Sequence, residues 1–490
     1  MPTRPNLVFI MPDQLRHDFL SCYGATFIDT PNIDALCESG IRYERAYSEH
    51  PVCVPARAAL LTGMNAVKAG VLDNSQWLRP DYGRCGLRTW PEILNHQGYH
   101  TLATGKMHFY PWQARFGFQR RIIAEDKLWG FVEDDYHHFL AARGYTKRGM
   151  VDVADYHDNH MALTSPIPYE CTVDHWVGMQ TAEWIEAYDN DEPFAIMVGF
   201  PGPHSQYDPA PEFATFEPAA MPEPLPANDA DVSMMRVNTG RKPIGRPRES
   251  WYRVQNPNPP TRETHMLHRA NYAGLVKQID VEVGRIVGAL KKKGLLDNTV
   301  IILSSDHGDY LGDHGLGGKG TYYEGSCHVP MIVRHPDASG GQVRDDLVTL
   351  TDVTATMVGL GGATVPTYMD ASPLPGFGLD GASEREYVVG VLRSGWMIFD
   401  GEWKLARYGG GSHLFNLAQD PGEQQNRAAD PDCAEVYRRL DQTLIPEVMR
   451  LMDEATFPGR HMTHSSSLDY GRVGWERTYP MAWGEIYGER

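Results

Sequence analysis

The chain's sharpest chemical pattern is Cys53-Val54-Pro55-Ala56-Arg57, running into Ala58-Ala59-Leu60-Leu61-Thr62-Gly63, which reads as a short helix closed by glycine. Cys53 falls near that helix's N-terminus, where the positive end of the dipole favours an anion and an ionised thiol. Arg57, one turn on, is placed to hold the nucleophile or a neighbouring oxyanion. By itself the pattern describes a half-buried cysteine before a helix. Its company argues for more. Four short apolar runs each end in polar residues: 6–11 in Pro12-Asp13-Gln14, 100–104 in Gly105-Lys106-Met107-His108, 194–200 in Pro201-Gly202-Pro203-His204, and 299–303 in Ser304-Ser305-Asp306-His307-Gly308. An Asp after a strand is often only a helix cap. Two Asp-bearing pairs at matching strand ends favour a shared cation, because they offer mainly oxygen donors with one imidazole.

The elements that must position these groups alternate between strand and helix. Leu267, Ala270, Val276, Ile279, Val283, Ile286 and Leu290 recur at helical spacing, with Lys291 to Lys293 in the last turn and Gly294 as the stop. The alternation predicts an α/β fold, a large and mostly parallel sheet sandwiched by helices, with ligands bound outside the carboxyl ends of the strands. Stretches 109–165 and 205–262 interrupt it and read as loops on the substrate side. In the first, Trp112, Trp129, Tyr136, His137 and His138 either shape a leaving-group pocket or pack the loop, and packing is favoured for most of them. Beside the fourth strand end, Asp309, Asp313 and His314 read as loop anchors or supports for metal ligands. Beyond about residue 375, segments 387–392, 396–399 and 403–408 read as short antiparallel strands before a helix near 432–453. We therefore expect a catalytic domain over 1–374, a smaller α+β domain on an antiparallel sheet over 375–454, and an arm over 455–490 that packs on another surface or subunit and makes the protein a homo-oligomer.

At 490 residues the chain is too long for one compact core. A net charge of −18 argues against nucleic acid or an anionic membrane surface as partner, so an anionic substrate must meet a local positive cluster. The opening apolar run, Leu7 to Met11, is too short for a signal peptide or a membrane span, and the expected location is the cytoplasm. Seven scattered cysteines with no CxxC pair make a disulfide framework improbable.

With these residues assembled, the chain resembles the sulfatase branch of the alkaline-phosphatase superfamily, whose Cys-x-Pro-x-Arg motif directs oxidation of the cysteine to formylglycine. Cys53, Pro55 and Arg57 match, and Ala56 stands where serine is commoner. The likeness spans most of the chain. It includes Asp13-Gln14, the stretch at 105–108, Ser305-Asp306-His307-Gly308, Gly318-Lys319-Gly320, Leu414-Phe415-Asn416-Leu417 and Asp420-Pro421 with Glu423. Gln14 and His307 are similar to choline sulfatases and phosphonate monoester hydrolases, and Gly105-Lys106-Met107-His108-Phe109 with the Ala56 form of the motif resembles cytosolic choline sulfatases and related bacterial arylsulfatases.

The resemblance implies a mechanism. A plain thiol attacking sulfur would leave a stable thiosulfate ester. A hydrated aldehyde attacks with one hydroxyl and releases sulfate when the second is deprotonated. It further implies one divalent cation held by Asp13, Gln14, residue 53, Asp306 and His307. Calcium is usual in the family, and the imidazole leaves room for manganese. Lys106 and Lys319 match residues that neutralise sulfate oxygens, His108 the base for collapse, and His204 the acid to the leaving oxygen. Asn74 matches a substrate contact or forms a turn. The implied partners are a small aryl or alkyl sulfate ester and a formylglycine-generating enzyme during maturation. Two alternatives stay open: a phosphonate monoester or phosphodiester hydrolase on the same scaffold, and a catalytically silent scaffold that binds anions.

Overall fold

A computed structural model describes residues 4–78, 82–125, 127, 132–147, 153, 155–156, 158–227 and 260–455. Its large sheet is built from β1 (Asn6–Ile10), β2 (Ile41–Tyr47), β3 (His100–Gly105), β4 (Arg120–Ile123), β5 (Phe194–Gly199), β6 (Thr299–Ser304), β7 (Met331–Arg334) and β8 (Gln342–Thr349). Their order is β4-β3-β5-β1-β6-β7-β2-β8. β7 runs antiparallel to both neighbours, and the remaining pairs are parallel. The fold is the expected mostly parallel sheet between helices. The strands read as chemical platforms, β3, β5, β1 and β6, lie side by side and parallel, so their carboxyl ends share one edge.

Side chains alternate across this sheet, as the pleat requires. Val8, Ile10, Ile196, Val198, Ile301 and Leu303 face a core closed by helices Val173–Ala187 and Arg262–Lys292. Leu7, Phe9, Ala195, Met197, Val300 and Ile302 face the opposite core, closed by helices Cys53–Thr62, Trp90–His96 and Asp352–Leu360. Both faces being covered explains why these strands are nearly continuous apolar runs; each such side chain contributes about 1.5–3 kcal/mol of burial. Gly294, at φ +70°, ends the long helix as expected.

A second sheet is an antiparallel meander of β9 (Val388–Leu392), β10 (Gly395–Phe399), β11 (Trp403–Tyr408) and β12 (Gly411–Asn416). Ile398, Leu405 and Leu414 on one face meet Leu440, Leu444 and Val448 of helix Ala434–Ala455. Met397, Phe399 and Ala406 on the other meet Tyr47, Tyr322, Cys327 and Leu347 of the main body. Buried Lys404 of β11 fastens the joint, 2.7 Å from both Glu324 and Glu423. Of the expected 455–490 arm, Ala455 ends the last helix and 456–490 lie outside the described residues, as does Trp129. No helix among the described residues is long and apolar enough to cross a membrane.

Candidate active site

Cys53 is the first residue of its helix, and all ten residues of that helix are buried. The exposed Asn74 accepts a hydrogen bond from the Val54 N–H at 3.0 Å, completing the helix's first turn from outside. At the other end Gly63, at φ +70°, donates to the Ala59 carbonyl at 2.8 Å. Cys53 is thus placed at the start of a buried helix held at both ends.

Asp13 follows β1 and Asp306 follows β6, and because those strands pair in register, the two carboxylates arrive together. One atom each of Asp13, Cys53, Asp306 and His307 lies within 4.8 Å of the others, and all four residues are buried. His307 Nε2 is 3.1 Å from Cys53 Sγ and 3.7 Å from Asp306 Oδ1. Its Nδ1 donates to the Gly308 carbonyl at 2.9 Å, which turns Nε2 inward; burial opposes protonation of the ring, but Asp306 and Cys53 raise its pKa above the ordinary value. Two carboxylates, an oriented imidazole and residue 53 make a donor set that suits a hard or borderline divalent cation. Gln14 joins from the side. Its N–H donates to Asp306 Oδ1 at 3.0 Å, and its amide oxygen accepts from Lys319 Nζ at 2.5 Å, which leaves that oxygen a second lone pair. Gln14 and His108 both take left-handed backbone, φ 73° and 57°, a strain concentrated where side chains must be aimed.

Arg57 does not reach for an external oxyanion. Its Nε meets Asp306 Oδ2 at 2.8 Å, its Nη2 meets Asp13 Oδ2 at 3.0 Å, and its Nη1 donates to the Lys106 carbonyl at 2.8 Å. It clamps the two carboxylates from behind. Lys106 Nζ is 3.0 Å from Asp13 Oδ2. Burial and the neighbouring Cys53 push the Asp13 carboxyl up, yet Lys106, His204 and Arg57 together hold it well below the usual carboxylate range. Burial also opposes ionisation of Cys53, but Lys319, His307 and hydrogen bonds from His108 and His204 bring its thiol far below the ordinary value. Asp306 is raised, by burial and then by Asp13. The site therefore stabilises negative charge at position 53, and the other five expected catalytic residues, Arg57, Lys106, His108, His204 and Lys319, act on it or on the neighbouring Asp13.

Several supports were not singled out as site residues from sequence. Glu125, wholly buried after β4, accepts the His108 N–H at 2.6 Å and pairs with Arg121. Ser305 accepts the Leu15 N–H and donates to backbone oxygens, tying the two Asp-bearing turns. Asp309 turns out to hold Gln14 through its amide nitrogen, and it also accepts from Tyr207 Oη at 2.7 Å and the Gly318 N–H at 3.1 Å. It therefore positions Gln14 and the Lys319 turn together. Asp313 anchors Arg16 and Arg269. A carboxylate beside Asp306 was visible in sequence; Glu125 had no signal beyond its place after a short strand.

A parallel sheet with this edge, an oxygen-rich donor cluster and a charged cradle around a helix-borne cysteine define a hydrolase of the alkaline-phosphatase-like class. A family profile described as Sulfatase matches residues 5–363, and the chain belongs to the sulfatase family. It is a sulfuric ester hydrolase. The chain is 27% identical over 483 residues to an arylsulfatase of Clostridium perfringens, covering 91% of this chain and 94% of the relative. It is 26% identical over 462 residues to a choline-sulfatase of Rhizobium meliloti, covering 87% and 83%. In fold it is similar to a phosphonate monoester hydrolase of Agrobacterium radiobacter, with a TM-score of 0.76 and 24% identity over 91% of this chain and 96% of that one.

Proposed function

We propose that the protein hydrolyses small aryl or alkyl sulfate monoesters to alcohol and inorganic sulfate, with formylglycine made from Cys53 as nucleophile and one divalent cation, Ca2+ or Mn2+. The observation that carries this reading is the convergence of Asp13, Cys53, Asp306 and His307 within 4.8 Å, beneath the charges of Lys106 and Lys319. Asp13, Gln14, Asp306, His307 and residue 53 would hold the cation, which supplies Lewis-acid polarisation. As a hydrated aldehyde, residue 53 offers one hydroxyl to attack sulfur and a second whose proton loss expels sulfate.

The remaining work falls to side chains already in place. Lys106 and Lys319 neutralise the non-bridging oxygens, where fixed charge in a dry site is most effective. His108, held by Glu125, takes the proton that releases sulfate, and His204 gives one to the departing alcohol. Its Nδ1 bonds the Ser205 carbonyl at 2.5 Å, which fixes the ring for that transfer. Asn74, on the outer side of the helix start, is assigned to the substrate rim. Maturation by a formylglycine-generating enzyme, a cytoplasmic location consistent with the free thiols of Cys22, Cys37, Cys171, Cys327 and Cys433, and self-association through the C-terminal arm belong to the same proposal.

The test is mass spectrometry of the Cys53 peptide after co-expression with the maturation enzyme, coupled to turnover of 4-nitrophenyl sulfate. An aldehyde together with sulfate release supports the reading, whereas an unmodified thiol with no turnover favours a silent anion-binding scaffold. A second reading, hydrolysis of phosphonate monoesters or phosphodiesters, is favoured by the shared fold and by a donor set that suits any tetrahedral oxyanion. A higher kcat/KM on phenyl phosphonate esters than on aryl sulfates would put it first.

A further inference from the structure

Beside the nucleophile lies a cluster of rings that no step above uses. Trp77 packs on Val54, Ala58 and Val71, so it rests on the first two turns of the helix that begins with Cys53. Its ring centroid is 5.9 Å from His108, whose side chain hydrogen-bonds Cys53. Outward from it stand Tyr110 at 5.6 Å and Trp112 at 6.3 Å, with Tyr110 and Trp112 themselves 6.1 Å apart. Tyr110 is 38% exposed. Trp77 and Trp112 are half-buried. The sequence left Trp112 between shaping a leaving-group pocket and packing its loop; it lies in the row of rings that starts beside His108.

We propose that Trp77, Tyr110 and Trp112 form the wall that receives the alcohol half of the ester, and that they select leaving groups with a flat or ring-shaped face, an aryl ring or the C–H face of a pyranose. This inference rests on the proposed function and names its substrate class. Ring spacing leaves no slot between two faces, and the near-perpendicular corner that Trp112 makes with the other rings would suit a quaternary ammonium as well as a ring, so the trimethylammonio ester below decides between them. The Trp77 and Tyr110 centroids are 5.6 Å apart, inclined by 33°, and Trp112 stands at 77° and 83° to them, in contact with both. Nothing fits between rings already packed together, so a ligand bears on their outer surface. Stacking and edge-to-face contacts reward a ring there.

The experiment compares kcat/KM of the mature enzyme with Trp112→Ala, Tyr110→Ala and Trp112→Phe on four esters: phenyl sulfate, a hexopyranose 6-sulfate, hexyl sulfate and 2-(trimethylammonio)ethyl sulfate. Each substrate is scored as the ratio of variant to wild type, so differences in intrinsic leaving-group reactivity cancel. We expect Trp112→Ala to lose about tenfold more on a ring ester than on hexyl sulfate. Trp112→Phe should recover most of that difference, and whichever of the phenyl and pyranose arms falls further identifies the source of the ring. Equal losses on all four esters, or the largest loss on the trimethylammonio ester, overturn the proposal. Tyr110 is exposed and Trp112 half-buried, and thermal melting checks that the variants fold. Should the wild type turn over no sulfate ester, the functional reading fails separately. The wall is then decided by calorimetric titration of Cys53→Ala and its Trp112→Ala double variant with phenyl and hexyl sulfates, where an unchanged phenyl-to-hexyl affinity ratio rejects it.

Discussion

At the scale of single residues, the site is organised around keeping two buried carboxylates close together without expelling either. Asp13 and Asp306 repel, and Arg57 answers both with separate nitrogens while its third contact fixes the Lys106 backbone. Removing one member of such a buried set costs more than the pair contributes net, because the partner is left uncompensated. Cys53→Ala removes little volume and no part of the clamp. We expect it to abolish turnover with an unchanged melting temperature; substantial residual sulfatase activity in the purified variant would rule out the mechanism. Lys319→Ala should lower kcat by roughly 10²–10³, the usual loss when a transition-state charge partner is deleted. Melting should move far less, since the Lys319 turn is held by the Gly318 N–H donating to Asp309 Oδ1 and the Gly318 carbonyl accepting from the Tyr310 N–H. Asp13 and Asp306 were legible because each comes just after an apolar run and supplies a charge there. Glu125 was not, because its only announcement is a four-residue strand, Arg120–Ile123, that starts with two arginines.

At the scale of elements, the four strands that carry chemistry were readable from composition because both faces of each are covered. β2 and β8 escaped because they pair near the sheet's edge and place Arg42 beside Glu44 and Arg344 beside Asp346, so ion pairs replace the apolar alternation that marks a strand. Close approach imposes its own demands. Gly105, at φ +87°, ends β3, and a Cβ there would stand 2.1 Å from the Gly199 carbonyl oxygen. Gly105→Ala should therefore lower the melting temperature and kcat together, because it displaces the turn that carries Lys106. The joint between the two sheets has a titratable element. His50 Nδ1 is 2.8 Å from the Val391 carbonyl of β9, and its Nε2 accepts the Ala66 N–H at 3.0 Å, which requires a neutral ring. Burial lowers its pKa from 6.5 to about 4. The unfolded chain takes up this proton first on acidification, so the stabilisation is complete above pH 6.5 and fades as pH falls toward 4, by of order 1.4 kcal/mol per pH unit. Asp174 and Glu423, both raised to about 6 by burial, act with the opposite sign, since their contributions are present at low pH and lost as pH rises through about 6. The reading is thus a difference: between pH 7.5 and 5, His50→Gln should lose less stability than wild type in denaturant titrations, and equal losses would remove His50 from the account.

At the scale of the whole molecule, the smaller sheet supports the catalytic edge. Lys404 of β11 grips Glu324, whose short helix Glu324–Cys327 supplies the Ser326 carbonyl that accepts the Gly308 N–H at 2.8 Å, next to His307. Gly308 is obligatory there, as a Cβ would meet the Gly325 carbonyl oxygen at 2.2 Å. Lys404→Met leaves buried Glu423 facing half-buried Glu324 without a cation between them and should destabilise the fold by about 3 kcal/mol, as well as weakening affinity for the proposed cation through the Asp306–His307 turn. The change of character near residue 375 was visible in sequence, but its mechanical role was not, because contacts such as Lys404 to Glu324 span 80 residues and leave no local pattern.

The most direct measurement is an anomalous-scattering crystal structure of enzyme co-expressed with the maturation machinery and grown with Mn2+. The account predicts a single strong peak bounded by Asp13, Gln14, Asp306 and His307, with density for an oxidised, sulfur-free side chain at position 53 against it. A peak elsewhere, or an intact thiol at 53 in enzyme that turns over sulfate esters, would contradict it.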